Sequence, residues 1–190
     1  MRIEEMTIPG TFLITPDHIP DERGVFYESV RRDDLEKASG IPFRAEQINY
    51  SVSKRHTLRG IHSVTIPPGQ VKLVSCVRGV LRDIVVDLRV GSPTFGRHQV
   101  TALDAAEGRS LYLPEGVGHG FLALTDDACI CYVNSSAYVP GTQIDINPLD
   151  PFLDLPWDCP EEPVISAKDL RAPTVAEAVE AGLLPEFSAV

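Results

Sequence analysis

The stretch TLRGIHSVTIPPGQVKLVSC, Thr57 to Cys76, sets apolar against polar residues on both sides of a Pro-Pro-Gly turn. It reads as two β-strands joined by a tight connection. Three residues sit awkwardly in so apolar a pair: Arg59, His62 and Lys72. On strict alternation Arg59, Ile61 and Ser63 share one face, and Leu58, Gly60 and His62 the other. Arg59 and His62 then point apart. Gly60 offers a remedy, because a glycine bulge locally re-aims the side chains around it. In the second strand Lys72, Val74, Cys76 and Arg78 share a face. For this stretch alone, solvated edge charges and a hydrogen-bonded core histidine explain the three residues as well as a site does.

The same pattern continues outward. Short apolar runs such as GTFLITP, GVFYESV, QINYSVS, LRDIVVDLRVG, RSLYLPEG, HGFLAL and ACICYVNSSAYVPG alternate with turns, punctuated by 16 prolines and 14 glycines. Closely spaced strands with few helical segments between them predict an antiparallel sandwich or barrel. Residues 31–39, RRDDLEKAS, read as a short surface helix that Gly40 ends and Pro42 keeps from resuming. Residues 174–184, TVAEAVEAGLL, read as a second helix, with Thr174 and Glu177 spaced as a capping box and Gly182 near its end. The expected organisation is one domain over residues 1–190, with 148–190 as a loop and helical C-terminal extension.

The chain has 190 residues and a formal net charge of -10. Such a surface repels phosphate backbones, so nucleic acid is excluded as an expected partner. An anionic ligand must enter a local basic pocket against that field. No stretch approaches the roughly 20 apolar residues that span a bilayer, and no membrane partner is expected. The N-terminus, MRIEEMTIPG, has no apolar core of a signal segment. Cys76, Cys129, Cys131 and Cys159 show no paired zinc spacing. Cys129 and Cys131, two apart on a strand, are expected to point the same way and fill core. A reduced, cytoplasmic setting follows.

GRSLYLPEGVGHGFLA carries Gly108, Pro114, Gly116 and His119 at the spacing of the second cupin motif, which the segment resembles. Ala123 stands where that motif continues with Asn, and Val64 stands where the first cupin motif needs a second histidine. His62 and His119 alone do not supply the three or four converging ligands a metal needs. The expectation is a mainly β fold, a cupin-like antiparallel β-barrel (jelly roll) with short peripheral and C-terminal helices, holding a site without a metal. Acid–base or binding work then falls to His62, Lys72, Tyr132, Tyr138 and the carboxylates. Histidine is the usual proton-transfer group near neutral pH. A lysine stabilises an enolate oxygen as charge develops on it.

In series, DERGVFYE (21–28), EQINYSVS (46–53), LRGIH (58–62), PPGQVKLVSCVRG (67–79), VVDLRVGSPTFG (86–96), YLPEGVGHGF (112–121), NPLDP (147–151) and ISAKD (165–169) resemble the dTDP-4-dehydrorhamnose 3,5-epimerase family and related dTDP-4-keto-6-deoxysugar epimerases. The resemblance implies a dTDP-linked 4-keto-6-deoxy sugar as substrate, no cofactor, and a homodimer. It implies His62 as the base, Asp169 as its orienting carboxylate, Lys72 as the cation facing the ketone oxygen, and Tyr132 as the acid on the opposite face. It implies nucleotide contacts from Arg23, Phe26 and Glu28, contributed by a neighbouring subunit. Gln47, Asn49 and Arg59 are implied as further nucleotide and diphosphate contacts, and His119 and Tyr138 as pocket residues. Three positions depart from the family's common pattern: Ser63 and Val64 replace an aromatic and a polar residue, and Gln143 replaces a glutamate. All three are expected near the pocket, so Gln143 joins the substrate-binding set. Two other functions stay open: a 3,4-ketoisomerase of the same sugars, and a non-catalytic sugar-nucleotide binding cupin. The second needs Arg59 and Phe26, but not His62, Lys72 and Tyr132 together.

Overall fold

The alternating runs become fourteen strands, which a computed structural model describes over residues 1–188. Six form the first sheet, in the order β1 (Arg2–Glu5), β2 (Phe12–Thr15), β10 (Ser110–Leu113), β7 (Lys72–Arg78), β12 (Ala128–Asn134) and β5 (Gln47–Ser53). The second sheet runs β13 (Gln143–Asp145), β6 (Thr57–Val64), β11 (Val117–Ala123), β8 (Val80–Asp87) and β9 (His98–Asp104). All these pairings are antiparallel. The short β14 (Val164–Ile165) adds a parallel contact to β6, and β3 (Ile19–Asp21) with β4 (Gly24–Phe26) forms a separate hairpin. The mainly β, cupin-like expectation holds as two facing sheets.

Period-two alternation fixes what each sheet buries. Val74 and Ile130 from the first sheet meet Val85, Leu103 and Phe121 from the second in the central core. The outer face of the second sheet carries Leu58, Ile61, Ile84, Val86 and Leu122. Leu153, Trp157, Val175 and Ala178 of the C-terminal segment cover them. Both faces of that sheet are therefore buried, and Ile84, Val85 and Val86 follow one another without polar alternation for that reason. On the first sheet, Leu35 of α1 (Arg32–Ser39) packs over Phe12, Ile14, Leu73 and Tyr112. The neighbouring outer surface of β5 leaves Ile48, Tyr50 and Val52 exposed.

Helix ends follow their capping chemistry. Gly40 closes α1 in a left-handed conformation, donating to the Glu36 carbonyl. Thr174 and Glu177 form the capping box of α3 (Val175–Glu180). This helix is shorter than 174–184: Ala181 caps it and Gly182 turns the chain at φ 64°. A one-turn helix, α2 (Ala167–Leu170), precedes it, capped by Ser166. Cys129 and Cys131 do point the same way, but away from the central core, which takes Ile130 between them. They are buried on the outer face instead.

Candidate active site

A cavity of about 270 Å³ opens between the sheets at one end of the sandwich. The second sheet contributes Arg59, His62 and His119, and the first contributes Gln47, Asn49, Lys72, Tyr132 and Asn134. Tyr138 and Gln143 stand at the rim. Among the described residues no Asp or Glu lines this cavity, in a chain with 27 of them. It is the local basic pocket that an anionic ligand needs.

The parity conflict in β6 is resolved at Gly60. Phe121 of β11 pairs with Arg59, and His119 pairs with His62, so three steps along β6 match two along β11. This is a bulge, and the extra residue is Gly60 at φ 121°. Leu58 and Ile61 face the outer cluster while Arg59 and His62 both reach the cavity. A β-carbon on Gly60 would stand 2.5 Å from the Gly120 Cα and 2.8 Å from the His119 carbonyl oxygen. One on Gly120 would stand 2.8 Å from the Arg59 carbonyl oxygen. The two glycines let the strands cross closely where the bulge needs them to.

His62 Nε2 donates to Asp169 Oδ1 at 2.8 Å. Burial pushes the Asp169 carboxyl up, but hydrogen bonds from His62, Ser166 and the Gly60 amide outweigh it and hold the group below the usual range. An ionised carboxylate only accepts, so the imidazole proton sits on Nε2 and the lone pair on Nδ1. The Ser166 cap that starts α2 delivers Asp169 to this position: its hydroxyl accepts the Asp169 amide proton. A second carboxylate, Asp145 Oδ1, lies 3.6 Å from His62 Nε2 and accepts from Lys168 Nζ at 2.9 Å. His62, Asp145 and Asp169 are the only three potential donor side chains so close together among the described residues, and all are engaged in these contacts.

Lys72 has no carboxylate partner among the described residues, and desolvation lowers its ammonium to about 8. Burial first, and then the Asp83 carboxylate, push the Tyr132 phenol up, against the opposing pull of Arg59. Tyr132, a phenol already protonated at neutral pH at its ordinary value, is held further on that side. Its ring meets His119 edge-on at 5.9 Å. His119 is buried, with Nε2 2.7 Å from Asp83 Oδ2, while Asp83 Oδ1 has no protein partner. Arg59 Nε donates to Ser53 Oγ at 3.1 Å, and Gln47 Nε2 to Asn49 Oδ1 at 2.9 Å. Gln47 also accepts the Tyr138 amide, tying the rim loop to β5.

The cavity therefore brings together His62, Lys72, Tyr132, Gln47, Asn49, Arg59, His119, Tyr138 and Gln143, with Asp169 behind His62. It does not gather Arg23, Phe26 and Glu28. Arg23 pairs with Asp21 on the β3–β4 hairpin, Phe26 is exposed there, and Glu28 pairs with Arg31. Sequence reasoning missed Asp83, Asp145, Gln70 and Asn134. Asp83 looks like one more strand charge, and Asp145 becomes a neighbour of His62 only because β13 docks on β6. The departures also fall into place. Ser63 is buried and donates to the Val117 carbonyl. Val64 and Gln143 are cross-strand partners, so two of the three unusual residues meet at one spot on the rim.

Residues 5–177 match the family described as dTDP-4-dehydrorhamnose 3,5-epimerase. A dTDP-4-dehydrorhamnose 3-epimerase of Streptomyces niveus is 47% identical over 188 residues, covering 99% of this chain and 90% of that protein. A dTDP-4-dehydrorhamnose 3,5-epimerase of Mycolicibacterium smegmatis is 42% identical over 188 residues, covering 99% and 92%. The crystal structure of NovW, a 4-keto-6-deoxy sugar epimerase from the novobiocin biosynthetic gene cluster of Streptomyces spheroides, superposes with a TM-score of 0.96 at 48% identity, covering 98% of this chain and 94% of that one. Fold, site and likeness over nearly the whole length agree, and the chain belongs to the dTDP-4-dehydrorhamnose 3,5-epimerase family.

Proposed function

We propose that this protein epimerises a dTDP-linked 4-keto-6-deoxy hexose, inverting C3 through an enolate. The observation that carries the reading is the placing of an oriented base and a protonated phenol on opposite sheets of one cavity. His62 takes the proton from the carbon next to the ketone, and Asp169 supports the imidazolium that forms. Lys72 faces the charge developing on the ketone oxygen. Tyr132, held in its protonated form, returns a proton to the other face. The ketone already acidifies the carbon, so the step needs no redox cofactor. Arg59 is the guanidinium for the diphosphate.

Inversion at C3 is the step common to 3-epimerase and 3,5-epimerase relatives. Incubation with dTDP-4-keto-6-deoxyglucose in D2O, followed by NMR, tests it. Deuterium at C3 is expected, and deuterium at C5 as well extends the reaction to a second centre. A product with the keto group moved to C3 would favour the ketoisomerase reading instead. No label and an unchanged sugar leave only binding.

The active unit is a homodimer in this reading. Arg23, Phe26 and Glu28 stand outside their own cavity, and Ile19 and Val25 on the hairpin and Ile48, Tyr50 and Val52 on β5 are exposed. A second copy covers them and lends the hairpin residues to its neighbour's nucleotide site. Light scattering at twice the chain mass is the expected result. The setting is cytoplasmic, a reading that four unpaired cysteines support. Among the described residues no helix is long and apolar enough to cross a membrane.

A further inference from the structure

We propose that Asp145, held by Lys168, is a second positioning carboxylate for His62. The inference rests on the reading of His62 as the base, and it adds Asp145, which lies outside the family motifs, and gives Lys168 a task within one of them.

The geometry is specific. After Asp169, Asp145 Oδ1 is the carboxylate oxygen next in distance to His62 Nε2, at 3.6 Å against 2.8 Å. At that length it is not the hydrogen bond, but a small turn of the imidazole brings it within reach. The two carboxylates come from different elements, β13 and α2. They therefore flank the Nε2–H from two directions, and a ring held from two directions has less freedom to turn than one held from a single side. Asp145 is itself fixed. Lys168 Nζ donates to Asp145 Oδ1 at 2.9 Å and to Gln143 Oε1 at 3.0 Å, spanning two residues on one face of β13. Lys168 and Asp169 are neighbours on the single turn of α2. That turn sends one side chain in to the imidazole and the other out to the carboxylate beside it.

Exposure grades along the set. The Asp169 side chain is 6% exposed, Asp145 19% and Lys168 55%. The outer pair is thus a clamp reachable from solvent, closing the site from behind. It carries a charge balance as well. When His62 takes up a proton, the new positive charge meets two carboxylates, one already neutralised by Lys168. The other groups around the imidazole are His119 on β11, Lys72 on β7, Tyr132 on β12 and Arg59 on β6, none of them an acceptor placed at Nε2.

The test uses the tautomer of His62, read from nitrogen-15 NMR of the ring in the substrate-free protein. Wild type is expected to hold its proton on Nε2. Asp169→Ala is expected to keep that tautomer, because Asp145 takes over the N–H. Asp145→Ala with Asp169→Ala is expected to lose it, because neither side chain then offers an acceptor. The same tautomer mixture in Asp169→Ala alone as in the double variant overturns the proposal. Activity gives an independent arm: Lys168→Met and Asp145→Asn are expected to lower kcat by about 3-fold to 100-fold with KM unchanged, the range for a small misplacement of a reacting group. Lys168→Arg is expected to restore most of it. Unchanged kcat in both variants, or a loss confined to KM, overturns the positioning role. The NMR result needs no substrate. If the tautomer behaves as stated and no variant or wild type exchanges deuterium, the epimerase reading fails and this one stands.

Discussion

Two histidine–aspartate pairs face each other across β6 and β11, for His62 and His119 are register partners. They look alike and are built for opposite ends. His62 is 28% exposed, and its carboxylates arrive from the last third of the chain. His119 is 4% exposed, and its Asp83 comes from the adjoining strand β8 and is sealed from solvent. The first pair gives its imidazole a free nitrogen and an open cavity. The second spends its polarity inside the wall, fixing His119 against Tyr132 and placing a negative charge where it helps keep the phenol protonated. The residue types are the same; burial separates an imidazole open to the cavity from one sealed from solvent.

That contrast breaks most visibly at His62. His62→Ala is expected to lower C3 deuterium exchange by about 10³-fold or more, the scale of a lost general base. Its unfolding temperature is expected to stay within a few degrees of wild type. Nucleotide binding, followed by calorimetry with dTDP, is expected to survive. Exchange persisting in this variant would remove His62 as the base. Tyr132→Phe comes next: inversion is expected to drop about 10²-fold, while exchange at C3 from the His62 side continues. A variant that loses both together contradicts the two-face division.

Asp83→Ala reverses the pattern. It leaves a buried imidazole nitrogen without its hydrogen-bond partner, and leaving such a group unsatisfied costs about 1–3 kcal/mol. Chemical denaturation measures this, and an equal loss in an Asp169→Ala variant would erase the distinction between the pairs. A smaller effect concerns Lys72. Its ammonium is lowered to about 8, so kcat/KM is expected to fall as pH rises through that value and the cation is lost. Between about 8 and the ordinary lysine value the unfolded chain binds more protons than the folded one, so stability rises with pH in the same window. A rate flat from pH 7 to 10 would exclude Lys72 as the cation. The smallest effect is none: EDTA is expected to leave activity unchanged, and a loss that zinc or iron restores would overturn the metal-free mechanism.

The sheets were legible because alternation and Pro/Gly punctuation are local signals, and the Gly60 bulge was legible because a parity conflict had a glycine in its middle. Lys72 and Tyr132 came from the family pattern and lie in one cavity with His62. The carboxylate Asp145 gave no such sign. β13 has three residues, too few for periodicity, and its meaning depends on which strand it docks against. The end of α3 was misjudged because Gly182 follows a run that could have stayed helical, and the cap at Ala181 wins. The cysteine pair was legible as sharing one face and being buried, but parity does not say which side of the sheet meets the central core.

The crossing of Gly60 and Gly120 bears on what can be altered as well as on shape. A β-carbon on either glycine meets the other strand's backbone, so a substitution at one position is not relieved by one at the other. The rim residues Val64 and Gln143 meet no such backbone clash: Val64 is a half-buried side chain at the cavity edge, and Gln143 is held only by its bond from Lys168. A change of substrate is therefore expected to be reached through the rim, while a side chain at either glycine is expected to part Arg59 from His62 in the chamber they share.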